Sequence, residues 1–483
     1  MHCVVVGSGV TGLSCALLLA KCASRVTVLE AGPRLAPILR GFTREGLHFD
    51  TGLHLAGGLH QGGLLARWLT ALGLWQHLSG LTTSACEHFH FACGTKSQLP
   101  AGLPALLAYV EESFPGSAAK LRTFLTTLEA EIEDSPYINP RSLGEPQLGD
   151  FTERSFLDLL KTFAFPKALE IMLKTRCLLY GVSPEAAGVR DYALVAGPYF
   201  HSAGCWEGTG SALFSAYLSE LKQAGVTLRT NARVTAILAQ KGQGVTGLAL
   251  SDGSTLACDR IFFTGHPRQL EDLLPRGLLR PCYCKRIRDL PDSKKAILLF
   301  CEIREQLFAG ESLYLLPELE APDHLPPASH AQPLLSFFQG RPDRTGRRTL
   351  TVISLLPDLP HPPLDAISYQ RQKAACVEHL RACAEARLPG LKKSWRILAA
   401  ATPHTFRRYS YGSTGSLYGA AHLKNNLPLL PATRLPGLFL AGQSILLPGM
   451  LGSIISAALA AGLAFGHATV LKEFRACGEN ASS

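Results

Sequence analysis

A β-branched run, Val4 to Val6, leads into a glycine turn; a long apolar stretch from Val10 to Ala20 follows, and a second short run, Val26 to Leu29, closes on Glu30. Short runs flanking one of helical length predict strand, helix, strand, the strands apolar on both faces as in a parallel sheet. From about Leu64 to Pro198 the pattern is mostly helical and apolar, with "HFHFACGTKSQLP" a strand and turn near its start and Pro136, Pro140 and Pro146 marking a loop. Gly208 to Val234 predicts a Gly-rich turn, an amphipathic helix and a strand; "VTGLALSDGSTLACDRIFFTG" predicts a hairpin and another buried strand. Between about Pro267 and Ala400 the pattern predicts strands at Ala296 to Ile303 and Thr349 to Leu355 and a helix at Tyr369 to Ala386, with Pro317 to Pro333 a proline-rich loop.

One segment imitates a membrane span: Leu435 to Val470 holds no Asp, Glu, Lys or Arg. Pro448, Gly449 and Gly452 interrupt it, and its second half is rich in Ser, Ala and Gly rather than Leu and Ile. It therefore reads as a strand, a turn and a small-residue helix packed closely on a sheet or cofactor, not as a lipid-facing helix.

The spacing Gly7, Gly9, Gly12, with Glu30 at the end of the second strand, carries chemistry. The first glycine allows a tight turn, the second lets the backbone approach a pyrophosphate, the third lets the helix lie close to its strand, and the acid accepts from ribose hydroxyls. Placed at the start of a 483-residue chain with further glycine motifs far downstream, this fingerprint points to FAD held by several chain segments. No Ser-His-Asp hydrolase motif, P-loop lysine motif or H-E-x-x-H accompanies it, which sets hydrolase and kinase chemistry aside.

Composition refines this. The chain is 47% hydrophobic and 18% charged, apolar enough to suggest a large apolar ligand site or a membrane-facing surface. Its net charge of +9 is scattered, without the basic stripe interleaved with aromatic residues that nucleic acid binding requires, and fits ordinary surface charge or weak attraction to anionic lipid. Fourteen cysteines sit mostly in apolar runs, where a reduced thiol behaves as a small hydrophobe. With the first strand starting almost at once, the expectation is a cytoplasmic protein with peripheral contact to a membrane surface.

The residues now quoted carry a resemblance. With "GFTREGLHFDTGLHLAGG" (Gly41 to Gly58), "GCWEGTGSALFSAYLSEL" followed by "TNARV", "TPHTFRRYSYGSTGSLYG" (Thr402 to Gly419) and "LFLAGQSILLPGMLGSIISA", the chain resembles the phytoene desaturase, carotenoid isomerase and retinol saturase group of FAD-dependent flavoproteins. The F-D-T-G-x-H stretch looks most like the retinol saturases. The resemblance implies an amine-oxidase-like fold of the two-dinucleotide-binding-region type, an α/β class with a Rossmann-like FAD domain and an inserted α+β substrate domain. It implies Val234 against the adenine, Gly442 and Gln443 beside the ribityl chain, and Gly449 and Met450 opening a helix whose N-terminus points at the flavin. Two departures stand out: "EAGPRLAPILRG" lacks the family's Gly-Gly pair, and Gln443 replaces an acid, removing a negative charge near the cofactor.

The expected division is 1–63, 201–267 and 401–475 for the FAD domain and 64–200 and 268–400 for the substrate domain. His54 and Tyr409 are the catalytic candidates. A His after Gly52 can protonate a carbanion or polarise a hydroxyl, or serve as a structural hydrogen-bonding residue; Tyr409, Tyr411 and Tyr418 supply a phenol or an aromatic wall for a polyene. Arg407 and Arg408 suit a ligand carboxylate, a flavin phosphate or solvent. Cys86, His88 and His90 would share one face of a strand near Cys93, but no second Cys or His pair completes a zinc ribbon, and no metal is expected. The expected chemistry is saturation, desaturation or isomerisation of a lipophilic polyene or isoprenoid, with saturation favoured, FAD as cofactor and an electron donor of unnamed identity. A flavin amine oxidase and a flavin-stabilised lipid carrier without turnover are the rival readings.

Overall fold

The structure is a computed structural model describing residues 1–142, 154–240, 242–316, 333–357, 365–412, 414–426 and 429–479. Pro146 and all but the last residue of the Pro317 to Pro333 stretch lie outside the described residues.

The N-terminal pattern folds as β1 (His2–Val6), α1 (Val10–Ala20) and β2 (Arg25–Leu29). Two later segments add α2 (Thr209–Gln223), β3 (Thr227–Arg229) and β4 (Arg260–Phe263), and a last one adds β5 (Leu438–Leu440) and α3 (Gly449–Phe465). The five strands form one parallel sheet in the order β5, β4, β1, β2, β3. Cys3, Val4 and Val5 of its central strand are fully buried, because helices cover one face and the three-stranded antiparallel sheet of Val234–Gln240, Gly244–Leu250 and Thr255–Ala257 lies over the other.

The segment that imitates a membrane span is this last strand and helix. Ala457, Ala458, Ala460 and Ala461 of α3 are fully buried, packed with Cys15, Ala16 and Leu19 of α1 in one core. Small side chains let the two helices approach closely. No helix among the described residues is long and apolar enough to cross a membrane.

The second sheet has seven strands in the order Trp395–Ala401, Ala296–Ile303, Arg348–Leu355, Leu335–Gln339, Ser312–Leu316, Cys86–Phe91 and Lys96–Pro100. All neighbours are antiparallel except Ser312–Leu316 beside Cys86–Phe91. Side chains alternate between its faces. Ile297, Leu299, Cys301, Leu350 and Val352 pack under the helix Ala366–Arg387, whereas Leu298, Ile353, Ser336 and Tyr314, paired across four adjacent strands, line a cavity against the first domain. Beyond Tyr314, the Phe89, Phe91 and Leu99 side packs on a layer of short helices that includes Leu103–Ser113, Ala118–Ala130 and Val189–Val195.

Candidate active site

A cavity of about 690 Å³ runs between the two sheets, and most of the motifs read from the sequence converge on it. At one end is the β1–α1 turn. Gly7 has φ of +106°, and a Cβ there would stand 2.5 Å from Thr264 Oγ1; a Cβ on Gly12 would stand 1.9 Å from the Gly7 carbonyl. A Cβ on Gly9 would meet nothing within 4 Å, so this glycine keeps open space above the N-terminus of α1, where the unpaired N–H groups of a first turn favour an anion. Glu30 leaves β2 onto the same wall and is only 6% exposed. Its carboxylate accepts from Ser8 N at 3.2 Å, from the Ser8 hydroxyl and from Gly32 N at 2.9 Å, which fixes its orientation. Val234 lines the cavity at the start of its strand, and the Arg233 guanidinium lies 4.6 Å over the Tyr411 ring, closing this end.

The β5–α3 connection reaches the cavity from the C-terminal side. Gly442, with φ of +120°, donates its N–H to Ser456 Oγ at 2.9 Å and accepts from Ile445 N and Leu446 N, so the chain turns sharply there. The neighbouring Gln443 lines the cavity, and its carbonyl accepts from His422 Nε2 at 2.6 Å, which puts the ring proton on that nitrogen. Gly449, at φ of +82°, begins α3, and a Cβ on it would meet no atom within 4 Å; Met450 follows, and both line the cavity. Two helix N-termini thus open on one cavity at glycines whose side-chain space is empty. That arrangement fits a cofactor carrying a diphosphate and an electron-accepting ring.

The remaining wall is largely apolar, with Leu178, Leu298, Leu334, Ile353, Leu355 and Phe406 among its residues. His54 lies within it, stacked on Phe338 with centroids 4.7 Å apart and planes 14° from parallel. Burial lowers its pKa to about 4, leaving a neutral imidazole at physiological pH. Tyr418 is enclosed beside Gly181, and burial pushes its phenol up to about 12. Tyr199 also lines this wall, donating to the Leu55 carbonyl at 3.1 Å.

A family model described as flavin containing amine oxidoreductase matches residues 10–464. The chain belongs to that family. This flavin oxidoreductase is 23% identical over 518 residues to the human all-trans-retinol 13,14-reductase, the match covering 94% of this chain and 84% of that one. Its fold is similar to that of an oxidoreductase from Methanosarcina mazei (TM-score 0.65, 15% identity, covering 96% of this chain and 99% of that one). It is also similar to a fatty acid isomerase from P. acnes (TM-score 0.61, 13% identity, covering 95% and 97%).

The chain brings Gly7, Gly9, Glu30, Val234, Gln443, Gly449 and Met450 to the cavity wall; Gly12 and Gly442 stand behind it and shape the two turns. His54 lies on the apolar side. Tyr409 also lines the cavity, but at its rim: it is 50% exposed, lies under its neighbour Arg408 and is two residues from Tyr411 at the Glu30 end. The enclosed phenols on the cavity wall include Tyr418, Tyr199 and Tyr314. Cys86, His88 and His90 do share the partly buried face of their strand, and no group of three His, Cys, Asp or Glu among the described residues is placed to hold a metal. The opposite face of that strand carries what the motifs alone pass over. Glu87 points to the cavity and pairs with Arg176. The signal lies in the alternation, since Glu87 is in phase with Phe89 and Phe91.

Proposed function

We propose that the protein is an FAD-dependent oxidoreductase acting on carbon–carbon double bonds of a lipophilic polyene or isoprenoid, in the saturating direction. The observation that carries this reading is the long, largely apolar wall facing the two glycine-lined helix N-termini, with a neutral His54 stacked on Phe338 within it. A conjugated chain matches such a wall in shape and polarity. The full-length similarity to a retinol 13,14-reductase supports the same choice.

The Gly7 to Gly12 turn and Glu30 would hold the adenosine diphosphate part, and the Gly442 to Met450 turn the riboflavin part. When bound, FAD supplies a two-electron hydride donor or acceptor. The chain's own task is then to orient the polyene, exclude water and keep hydrogen-bond donors in place. His54 offers an N–H from an uncharged ring, and Tyr418 keeps its phenolic proton across the physiological range, so neither places a fixed charge beside the hydrocarbon.

The test is anaerobic incubation of flavin-loaded protein with all-trans-retinol and a small carotenoid panel, with the flavin reduced in one arm and oxidised in the other. A mass gain of two hydrogens in the reduced arm alone is expected. A loss of two in the oxidised arm, or an unchanged mass with a shifted retention time, would replace saturation by desaturation or isomerisation. Hydrogen peroxide released with amines, and no change to any polyene, would overturn the reading.

A further inference from the structure

An ion pair lies buried in the apolar wall, and the redox chemistry just proposed does not use it. Glu87 is 3% exposed and Arg176 4%, and their carboxylate and guanidinium are in close contact. Tyr314 donates to the Glu87 Oε1 at 3.1 Å, its phenol held protonated by burial and by the adjacent negative charge. The Arg176 guanidinium lies 4.3 Å over the Phe200 ring, and its Nε and Nη1 have no hydrogen-bond partner among the described residues.

Removing two charges from water is costly, and a purely structural pair would be expected to have its remaining donors and acceptors satisfied. This one does not. Of its two members it is Glu87 that lines the cavity, while Arg176 stands behind it. Across the sheet Glu87 pairs with Ser312 and Ser312 with Phe338, two strand spacings from the ring that supports His54, or about 10 Å. A carboxylate with lone pairs to spare therefore faces a largely apolar wall whose other polar groups, among them Ser336, Tyr199 and Tyr418, are uncharged, about 10 Å from the strand position whose ring supports His54.

We propose that Glu87, held by Arg176 and Tyr314, accepts a hydrogen bond from the terminal hydroxyl of the substrate, and that the site selects polyene alcohols over the corresponding carboxylates. This rests on the polyene reading above and adds the end-group class to it. Arg176 neutralises the pair, so the site does not call for a cation. A ligand carboxylate would bring a second negative charge against Glu87 in a medium of low dielectric.

The experiment titrates flavin-loaded protein with all-trans-retinol and with all-trans-retinoic acid, following flavin absorbance and protein fluorescence under anaerobic conditions. The alcohol is expected to bind about tenfold or more tightly than the acid. In Glu87→Gln the order should invert, because Arg176 is left as an uncompensated cation. Since a buried charge left unpaired can prevent folding, the paired variant E87M/R176M, which replaces both charges by apolar side chains, is measured beside it; it should retain flavin and bind the two ligands within about threefold of each other. The proposal falls if the parent binds the acid as tightly as the alcohol, which would put Arg176 rather than Glu87 at the ligand, or if E87M/R176M keeps the parent's preference. The readout is binding, so the two readings fail separately. An alcohol preference without any two-hydrogen product would remove the saturase and leave Glu87 in place, and product without preference would do the reverse.

Discussion

Gly9 and Gly12 occupy one motif but would fail differently if changed. A methyl group on Gly12 has the Gly7 carbonyl 1.9 Å away, so Gly12→Ala must displace α1 from its strand and should lower thermal stability by about 2 kcal/mol or more. Gly9→Ala meets no atom within 4 Å and should leave the apoprotein's melting temperature nearly unchanged while weakening flavin retention about tenfold or more; equal losses of stability in the two variants would contradict this. His54 gives a pH test. Its folded value, about 4, lies below the ordinary 6.5, so the unfolded chain takes up the proton first as pH falls. Its contribution to stability is complete above about pH 6.5 and is lost between there and about pH 4. His54→Phe should flatten that stretch of the melting curve against pH by up to about 3 kcal/mol, and a curve of unchanged shape would assign the acid sensitivity to other groups. The glycine fingerprint was legible because its cause is local backbone geometry. The Glu87 pair was not, because its partners, Arg176 and Tyr314, come from segments far away in sequence.

At the scale of elements, α3 shows what a run of small residues is for. Its buried alanines fill the contact with α1, and Tyr137 Oη reaches the Ala458 carbonyl at 3.4 Å from the other side. Ala458→Leu should force the helix outward at a cost of about 1–3 kcal/mol and, because α3 begins at Gly449, should also lower the flavin content of purified protein. A variant with normal melting temperature and normal flavin absorbance would show that the contact has slack. Strand, turn and helix from Leu438 onward could be read directly, since glycine, proline and the absence of charge mark each boundary. The seven-stranded sheet could be read only in part. Ala296–Ile303 is apolar except for Glu302 and Arg348–Leu355 is rich in β-branched residues, but Ser312–Leu316 and Leu335–Gln339 are short, flank a proline-rich stretch and acquire their identity by pairing with each other and with Cys86–Phe91. Pairing between distant segments leaves no local mark.

For the whole molecule, family and fold follow from motifs scattered over nearly the full length, whereas the division of labour within the cavity follows only from the way the two sheets face each other. Tyr409 shows this. All three tyrosines of its motif line the cavity, but their degree of enclosure differs: Tyr409, on the helix Pro403–Ser410, is 50% exposed, whereas Tyr418, beyond the left-handed Tyr411 that ends this helix, is enclosed. The order of strands in the first sheet has a further consequence. β1 is translated at the outset, its neighbour β4 follows after the helical layer of the substrate domain, and β5 comes only after the second sheet has been made. At roughly 5–20 residues per second, the ribosome leaves the open edge of β4 without its partner for at least about nine seconds, and α1 without α3 for longer still. The nascent chain therefore carries an unpaired strand edge and a bare helix face until its last segment emerges, and the cavity wall at Gly449 and Met450 is complete only then.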